Sequence, residues 1–100
     1  MQKYQLSRLA RSDLLAIADY TVDRWGMQQA NLYIEGLFKC FEQISATPAL
    51  GRPCDQVRRG YRRLEHRKHV IFYRADTNSV FINRILHQRM LPGPQVFEDY

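Results

Sequence analysis

The sequence predicts an α+β fold in which a two-helix hairpin packs on one face of a small antiparallel β-sheet, in the order β-α-α-β-β-β. One observation behind this prediction is a change of period, because apolar residues recur at helical spacing before Pro48 and at strand spacing after it. Another is a pair of β-rich runs at residues 70–73 and 80–86, separated by turn-forming residues as in a β-hairpin. A chain of 100 residues builds one core, so we expect a single domain over residues 1–100 with a short tail from about residue 92.

The N-terminal part predicts a strand followed by a helix. Residues 3–6 alternate polar and apolar side chains, which is consistent with a short first strand. A helix is predicted over residues 8–25, with Ser7 or Ser12 as its N-cap. Gly26 can adopt the left-handed conformation that ends a helix. The face of this helix that packs in the core consists of residues three or four positions apart: Ala10, Leu14, Ile17, Ala18, Thr21 and Trp25.

A second helix is predicted over residues 28–46 and ends before Pro48, which cannot continue it. Because only Gly26 and Met27 connect the two helices, they must fold back on each other as an antiparallel hairpin. Gly36 lies inside the helical pattern, and we interpret it as the mark of another backbone packed closely against the helix. The apolar face of the second helix consists of Ala30, Ile34, Leu37, Phe38, Phe41 and Ile44.

Three strands are predicted in the second half of the chain, at residues 61–65, 69–74 and 80–87. Both faces of the last strand are half apolar, which is unusual for a sheet with one side in water, so we expect the second face to be covered in the cell. Simple alternation assigns its residues to two faces, with Val80, Ile82, Arg84 and Leu86 on one and Phe81, Asn83, Ile85 and His87 on the other.

Composition narrows the class of protein. No apolar run approaches the roughly 18 residues that a membrane span needs, and the first residues lack the apolar block of a signal peptide. We therefore expect a cytoplasmic protein without contact with a membrane.

Cys40 and Cys54 have a spacing that fits no metal site or redox pair, so we interpret them as reduced thiols.

Positive charge is concentrated in one part of the chain. Residues 52–89 carry ten Lys or Arg against three Asp or Glu, whereas residues 1–51 carry five of each sign. Such asymmetry favours an anionic partner, either nucleic acid or an acidic segment of another protein. A merely soluble basic surface is the alternative interpretation.

Candidates for catalysis are few. A metal-free ribonuclease needs a general base, a general acid and cationic groups for the phosphate, for which Glu65, His87 and several arginines are available. His66 and His69 are three residues apart, a spacing that on one strand points them to opposite faces, so we expect no shared metal ion. We also expect no cofactor, because the chain contains no metal-binding, phosphate-binding or nucleophile motif.

Two segments together carry a resemblance to a known family. They are HVIFYR at residues 69–74 and INRILHQRM at residues 82–90, and the segments DL at 13–14, IADY at 17–20 and PALGR at 48–52 agree with them. The chain resembles, over residues 3–90, the ParE toxins of the RelE/ParE superfamily of bacterial type II toxin-antitoxin modules. The resemblance implies two helices packed on a small antiparallel sheet, as the periodicity predicts independently.

The resemblance also implies an activity, namely poisoning of DNA gyrase and blocked replication, without enzymatic hydrolysis by the toxin. The alternative on the same fold is a ribosome-dependent mRNA endonuclease of the RelE type. Where some of those ribonucleases have an arginine this chain has His69, and their C-terminal tyrosine or histidine has only His87 as a counterpart. This departure counts against ribonuclease activity. A nontoxic nucleic-acid-binding module or degenerate toxin is the third hypothesis.

The partner that the resemblance implies is a cognate antitoxin, of the ParD type or with another DNA-binding domain, whose flexible C-terminal segment wraps the toxin in a hetero-oligomer. A basic sheet with apolar residues on both faces suits an acidic amphipathic segment that folds on binding. We expect no catalytic residue, and the candidates for contacts with the antitoxin or with gyrase are the basic residues on and around the strands: Arg58, Arg59, Arg62, Arg63, Arg74, Arg84, His87 and Arg89.

Overall fold

Two helices lie on one face of a five-stranded sheet in the computed structural model, which describes residues 3–90 and residue 97. The predicted α+β fold is confirmed. The strands are ordered β1-β5-β4-β3-β2 across the sheet, and a 3-10 turn at Pro48–Leu50 follows the second helix. The elements in chain order are β1 (Lys3–Leu6), α1 (Arg8–Trp25), α2 (Met27–Ala46), β2 (Arg52–Pro53), β3 (Tyr61–His66), β4 (His69–Ala75) and β5 (Ser79–His87).

The sheet differs from the prediction in two ways. β1 pairs with β5 in parallel, with Tyr4 opposite Val80 and Leu6 opposite Ile82, so the sheet is mixed instead of wholly antiparallel. A fifth strand is also present, since Arg52 and Pro53 of β2 pair with β3. The alternation of residues 3–6 indicates a strand but carries no information about its direction, and a strand of two residues is too short to produce a periodic signal.

The helical hairpin begins and turns where the sequence predicts. Ser7 is the N-cap of α1, and its hydroxyl accepts a hydrogen bond of 2.9 Å from the backbone N–H of Ala10. Gly26 separates α1 from α2 with a φ of 92°, a conformation that favours glycine. Trp25 was assigned to the core, and this assignment is wrong because 67% of its surface is exposed. The last residue of α1 lies at the turn, beyond the end of the sheet-facing stripe.

The main core lies between the helices and the sheet. Leu14 and Ile17 of α1 and Leu37 of α2 pack there against Ile71 and Tyr73 of β4. Tyr73 is fully buried, and its hydroxyl donates to the carbonyl of Pro48 at 2.7 Å while accepting from the N–H of Gly51 at 2.8 Å. The loop after α2 is therefore attached to the centre of the sheet through one side chain.

A β-bulge in β5 changes the faces that its residues occupy. Phe72 pairs with Arg84 and the next residue, Tyr73, pairs with Ile82, which leaves Asn83 as the extra residue. Ile82 and Ile85 consequently share the core with the helices, and Leu86 lies with Phe72 on the opposite face. The simple alternation predicted for β5 is correct up to Asn83, whose side chain lies on the outer face with Tyr61, and wrong for Ile85 and Leu86. A bulge shifts the side chains that follow it to the other face.

Candidate binding face of the sheet

The outer face of the sheet, which lies opposite the helices, carries a second apolar cluster. Tyr61 of β3, Phe72 of β4 and Leu86 of β5 belong to it, together with Cys54 and Phe97. The strand register brings these residues together, since Arg63 of β3 pairs with Phe72 and Val70 of β4 pairs with Leu86. Phe97 is only 6% exposed, so at this point the second face is covered by a side chain of the same protein.

Three arginines lie over the aromatic rings of the outer face. The guanidinium of Arg63 is 5.7 Å from the centre of the Phe72 ring. That of Arg74 lies 4.5 Å from the centre of the Phe81 ring. Arg58 is 5.8 Å from the centre of the Tyr61 ring. Cations over aromatic faces attract the ring electrons. The outer surface of each planar guanidinium remains suited to stacking with groups from a partner. The outer face is therefore both apolar and positively charged.

Carboxylates neutralise part of this positive charge. Arg74 donates to Asp76 at 3.0 Å, and Glu65 receives hydrogen bonds from both Arg52 and Arg63. Burial raises the pKa of Glu65, but the hydrogen bond and charge of Arg52, together with the charge of Arg63, outweigh burial and hold the pKa below its usual value. Glu65 is thus an ionised acceptor at neutral pH, a state that does not suit it to donate a proton as a general acid.

The structure separates five of the eight predicted contact residues, the arginines between residues 58 and 74, into three groups. Arg58, Arg63 and Arg74 lie on the outer face, as described above. Arg62 points away from that face and donates to the carbonyl of Gly51 at 2.7 Å. Arg59 is exposed in the loop before β3. Sequence position alone placed these arginines in one set, whereas the alternation of β3 puts the neighbours Arg62 and Arg63 on opposite faces.

Arg84 has a partner inside the protein. Its Nε and Nη2 atoms donate to the two carboxylate oxygens of Asp13 on α1, each at 2.8 Å. The same carboxylate accepts the backbone N–H of Ile85 at 2.9 Å. Asp13 and Arg84 are 14% and 17% exposed, so this pair attaches α1 to β5 beyond the bulge.

All three histidines of the chain lie side by side at one end of the sheet. His66 pairs with His69 across the turn between β3 and β4, and His69 pairs with His87 of β5. The prediction that His66 and His69 point to opposite faces is wrong, because the two-residue turn between them places them on neighbouring strands. Gly36 of α2 allows this packing, since a Cβ there would lie 2.8 Å from Nε2 of His66. The residue packed against Gly36 is thus an imidazole ring and not another backbone.

The histidine row contacts polar groups of α2 and of the segment after β5. The Tyr33 hydroxyl and His69 Nδ1 are 2.6 Å apart, Cys40 Sγ lies 3.5 Å from His66 Nδ1, and His87 Nδ1 accepts the backbone N–H of Arg89 at 3.1 Å. Within residues 3–90 and at residue 97, no group of three His, Cys, Asp or Glu side chains is arranged to hold a metal ion. We therefore interpret the row as part of the packing between α2 and the sheet.

Stability should decrease in mild acid because of this row. Burial and the neighbouring His87 and His66 lower the pKa of His69 from 6.5 to about 4, against a smaller opposing effect of Asp13. The unfolded chain therefore binds a proton more readily than the folded chain between these pH values. The contribution of neutral His69 to the free energy of unfolding is fully present above pH 6.5 and decreases as the pH falls toward 4.

We expect a loss of about 1–2 kcal/mol across this window, less than the full shift implies because the ring is partly exposed. Urea unfolding at several pH values between 7 and 4 measures it. In His69→Gln the same titration should have a smaller slope, since the group that gains the proton is absent. An identical slope in both proteins would show that other groups cause the acid sensitivity.

Comparison with known proteins gives the family of this chain. Residues 4–92 match the family model for the ParE toxin of the type II toxin-antitoxin system parDE. This chain belongs to the ParE toxin family. It is 42% identical over 89 residues to the toxin ParE1 of Mycobacterium tuberculosis (strain H37Rv), a match that covers 88% of this chain and 91% of the relative. It is 43% identical over 90 residues to the toxin ParE1 of Caulobacter vibrioides, covering 90% and 93%.

Solved structures show the same fold. A chain from the chromosomal ParDE toxin-antitoxin system of P. aeruginosa matches with a TM-score of 0.74 and 25% identity, covering 87% of this ParE toxin and 96% of the other chain. A chain of the RelBE2 toxin-antitoxin complex of Mycobacterium tuberculosis matches with a TM-score of 0.62 and 20% identity, covering 86% and 96%. The predicted membership of the RelE/ParE superfamily is thus confirmed, and the protein is a ParE toxin of a type II toxin-antitoxin system. Neither α1 nor α2 combines the length and apolar character that a membrane crossing requires.

Phe97 is the residue of the outer face that sequence reasoning missed. It lies beyond Pro92, Gly93 and Pro94, in a short acidic segment without periodicity. The signal available for it was the apolar character of both faces of β5, which indicated that some other group covers the outer face. The sequence offered no means to identify that cover, because the contact joins residues that are 25 and 36 positions apart, Phe97 with Phe72 and with Tyr61.

Proposed function

We propose that this ParE toxin inhibits DNA gyrase by binding it, and that it does so without cleaving a nucleic acid itself. The family resemblance implies the target, and the chemistry of the outer face supports binding. On that face the charged groups are guanidiniums stacked on rings and ionised carboxylates, represented by Arg63, Arg74 and Glu65. Such groups suit binding better than general acid-base catalysis. A protein that traps one conformation of its target needs only a surface that fits that conformation.

The observation that carries this proposal is the position of the proton-transfer candidates. His87 lies in the histidine row with His69, on the side of the sheet that faces α2, and not among the arginines of the outer face. Glu65 is held ionised by Arg52 and Arg63. A base, an acid and a phosphate clamp must meet in one place for ribonuclease chemistry, and the structure distributes these residues over two faces.

Purified toxin free of antitoxin should block supercoiling by gyrase and increase the amount of gyrase-DNA cleavage complexes. The same preparation should leave ribosome-bound mRNA intact. Arg63→Gln on the outer face should weaken inhibition, whereas Lys39→Gln, an exposed change on α2 with the same loss of charge, serves as the matched control. Cleaved mRNA with normal supercoiling would favour the RelE-type endonuclease, and inactivity in both assays would favour a nontoxic or degenerate module.

We further propose that a cognate antitoxin neutralises the toxin in the cytoplasm by forming a hetero-oligomer in which an acidic segment contacts the basic sheet. The surplus of seven positive charges in residues 52–89 supports an acidic partner. Exposed apolar side chains on the helices give a second surface that a partner would cover. Leu15, Trp25, Met27 and Leu32 are each more than half exposed.

Association with the antitoxin should slow as salt is added, because screening weakens attraction between exposed charges. Stopped-flow measurements between low and high ionic strength would give the slope. Arg63→Gln should reduce that slope more than Lys39→Gln if the outer face directs the encounter. An association rate independent of salt would remove the electrostatic part of this proposal.

A further inference from the structure

The ring of Phe97 fills an aromatic slot on the outer face. It stacks on the Tyr61 ring with 5.2 Å between centroids and an angle of 7°, and it is tilted against Phe72 at 5.4 Å. The guanidinium of Arg58 lies 5.9 Å from the centre of the Phe97 ring. Two aromatic walls and a cation at the rim thus surround a side chain that comes from outside the sheet.

The walls of the slot are held by groups other than Phe97. The Tyr61 hydroxyl accepts hydrogen bonds from Asn83 at 2.7 Å and from Arg74 at 3.3 Å, and its backbone carbonyl accepts from Cys54 at 2.9 Å. Phe72 lies in β4 between two paired strands. Because these bonds do not involve Phe97, the slot should persist when the ring leaves it, as a preformed pocket does.

The neighbours of Phe97 in the sequence complement the charge of the slot. Glu98 and Asp99 directly follow it, and Arg58, Arg63 and Arg74 are the cations of the face. An aromatic residue beside carboxylates therefore matches what this surface can bind. A single buried ring must compensate for the ordering of several residues of chain, so occupancy by the chain's own segment should be exchangeable.

We propose that this slot is a binding site for an acidic peptide segment with an aromatic side chain, and that Phe97 occupies it in the free toxin as an internal competitor. The neutralising partner inferred above supplies such a segment. The assignment to the antitoxin rests on the proposed function, whereas the binding property of the slot does not. The partner's aromatic ring takes the position of Phe97 between Tyr61 and Phe72, and its carboxylates meet Arg58 and Arg63.

A peptide assay with full-length toxin tests the slot in the absence of gyrase and antitoxin. The probe is a fluorescently labelled peptide with the sequence of residues 95–100, QVFEDY. Phe97→Ala vacates the slot and should bind this peptide about tenfold more tightly than the wild type, the gain that corresponds to a slot open about a tenth of the time in the wild type. Phe38→Ala, which shortens a partly exposed phenylalanine on α2, should bind like the wild type.

Two controls define the outcome. A probe in which phenylalanine is replaced by alanine should lose binding to Phe97→Ala, and equal binding of both probes would overturn the proposal. If Phe97→Ala does not fold, irradiating the Tyr61 and Phe72 rings of the wild type should transfer saturation to excess QVFEDY peptide, and absence of transfer would likewise overturn the proposal. Gyrase inhibition is measured separately, so either proposal can fail while the other holds.

Discussion

Replacing Asp13 by alanine should lower the free energy of unfolding by about 3–5 kcal/mol, the range for removing one partner of a buried ion pair. The carboxylate accepts both hydrogen bonds from Arg84 and one from the backbone of Ile85. Its loss leaves a guanidinium and an N–H group without that acceptor in a place largely closed to water. Chemical denaturation of the purified variant measures the change.

Asp19→Ala is the matched control, because Asp19 is an exposed carboxylate on the same helix. It should change stability by less than about 0.5 kcal/mol. Replacing both members of the pair, as in Asp13→Leu with Arg84→Met, should recover part of the loss because no buried charge is left unpaired. Wild-type stability in Asp13→Ala would show that the pair does not connect α1 to β5 as described.

This prediction affects the interpretation of any experiment on Arg84. A loss of toxicity in Arg84→Ala has two possible origins, a lost contact with a target or a weakened attachment of α1 to β5. Measuring stability beside gyrase inhibition separates them. By contrast, Arg63 lies on the outer face with 32% of its side chain exposed, and its replacement tests the surface more directly.

Replacing Gly51 by alanine should destabilise the protein by about 1–3 kcal/mol, near the upper end because packing and hydrogen bonding are disturbed together. An added Cβ would lie 2.7 Å from both the carbonyl oxygen of Arg63 and the hydroxyl of Tyr73. The same hydroxyl holds the N–H of Gly51 and the carbonyl of Pro48. The loop after α2 must therefore shift away from the sheet.

Thermal unfolding of Gly51→Ala would show a lower Tm, and Ala49→Ser, an exposed change in the same loop, should leave it nearly unchanged. Tyr73→Phe removes the hydroxyl without adding an atom, so it measures the hydrogen-bonding part alone. If Gly51→Ala were as stable as the wild type, the close approach of the loop to β3 and β4 would be wrong.

Most of the secondary structure could be predicted from local patterns. α1 and α2 begin and end within a residue of their predicted limits, and each of β3, β4 and β5 agrees at one end and differs by one residue at the other. These elements have clear signals: helical spacing of apolar residues, Ser7 and Gly26 at the helix ends, and alternation on both sides of a turn. β2 has no such signal, since Arg52 and Pro53 form a strand only because β3 offers an edge.

The candidate site was less predictable because it depends on which face each side chain takes. Asn83 shows why: as the extra residue of the bulge it reverses the faces of the residues that follow, Ile85 and Leu86. His66 and His69 show it again, since their separation by three residues describes a turn and not one strand. In both cases local spacing predicts faces as if the residues lay on one regular strand. The pairing with neighbouring strands gives them different faces.

Local patterns were sufficient to predict the helical hairpin, the three long strands and the concentration of positive charge in residues 52–89, because each follows from neighbouring residues. The role of each charge depends instead on contacts between distant parts of the chain. Arg63 and Arg74 remain on the outer face, whereas Arg84 is bound by Asp13, 71 positions away. Phe97 likewise completes the outer cluster through contacts with residues distant in the sequence. Contacts of this kind depend on the relative placement of whole elements, a property that emerges only when helices and sheet pack together.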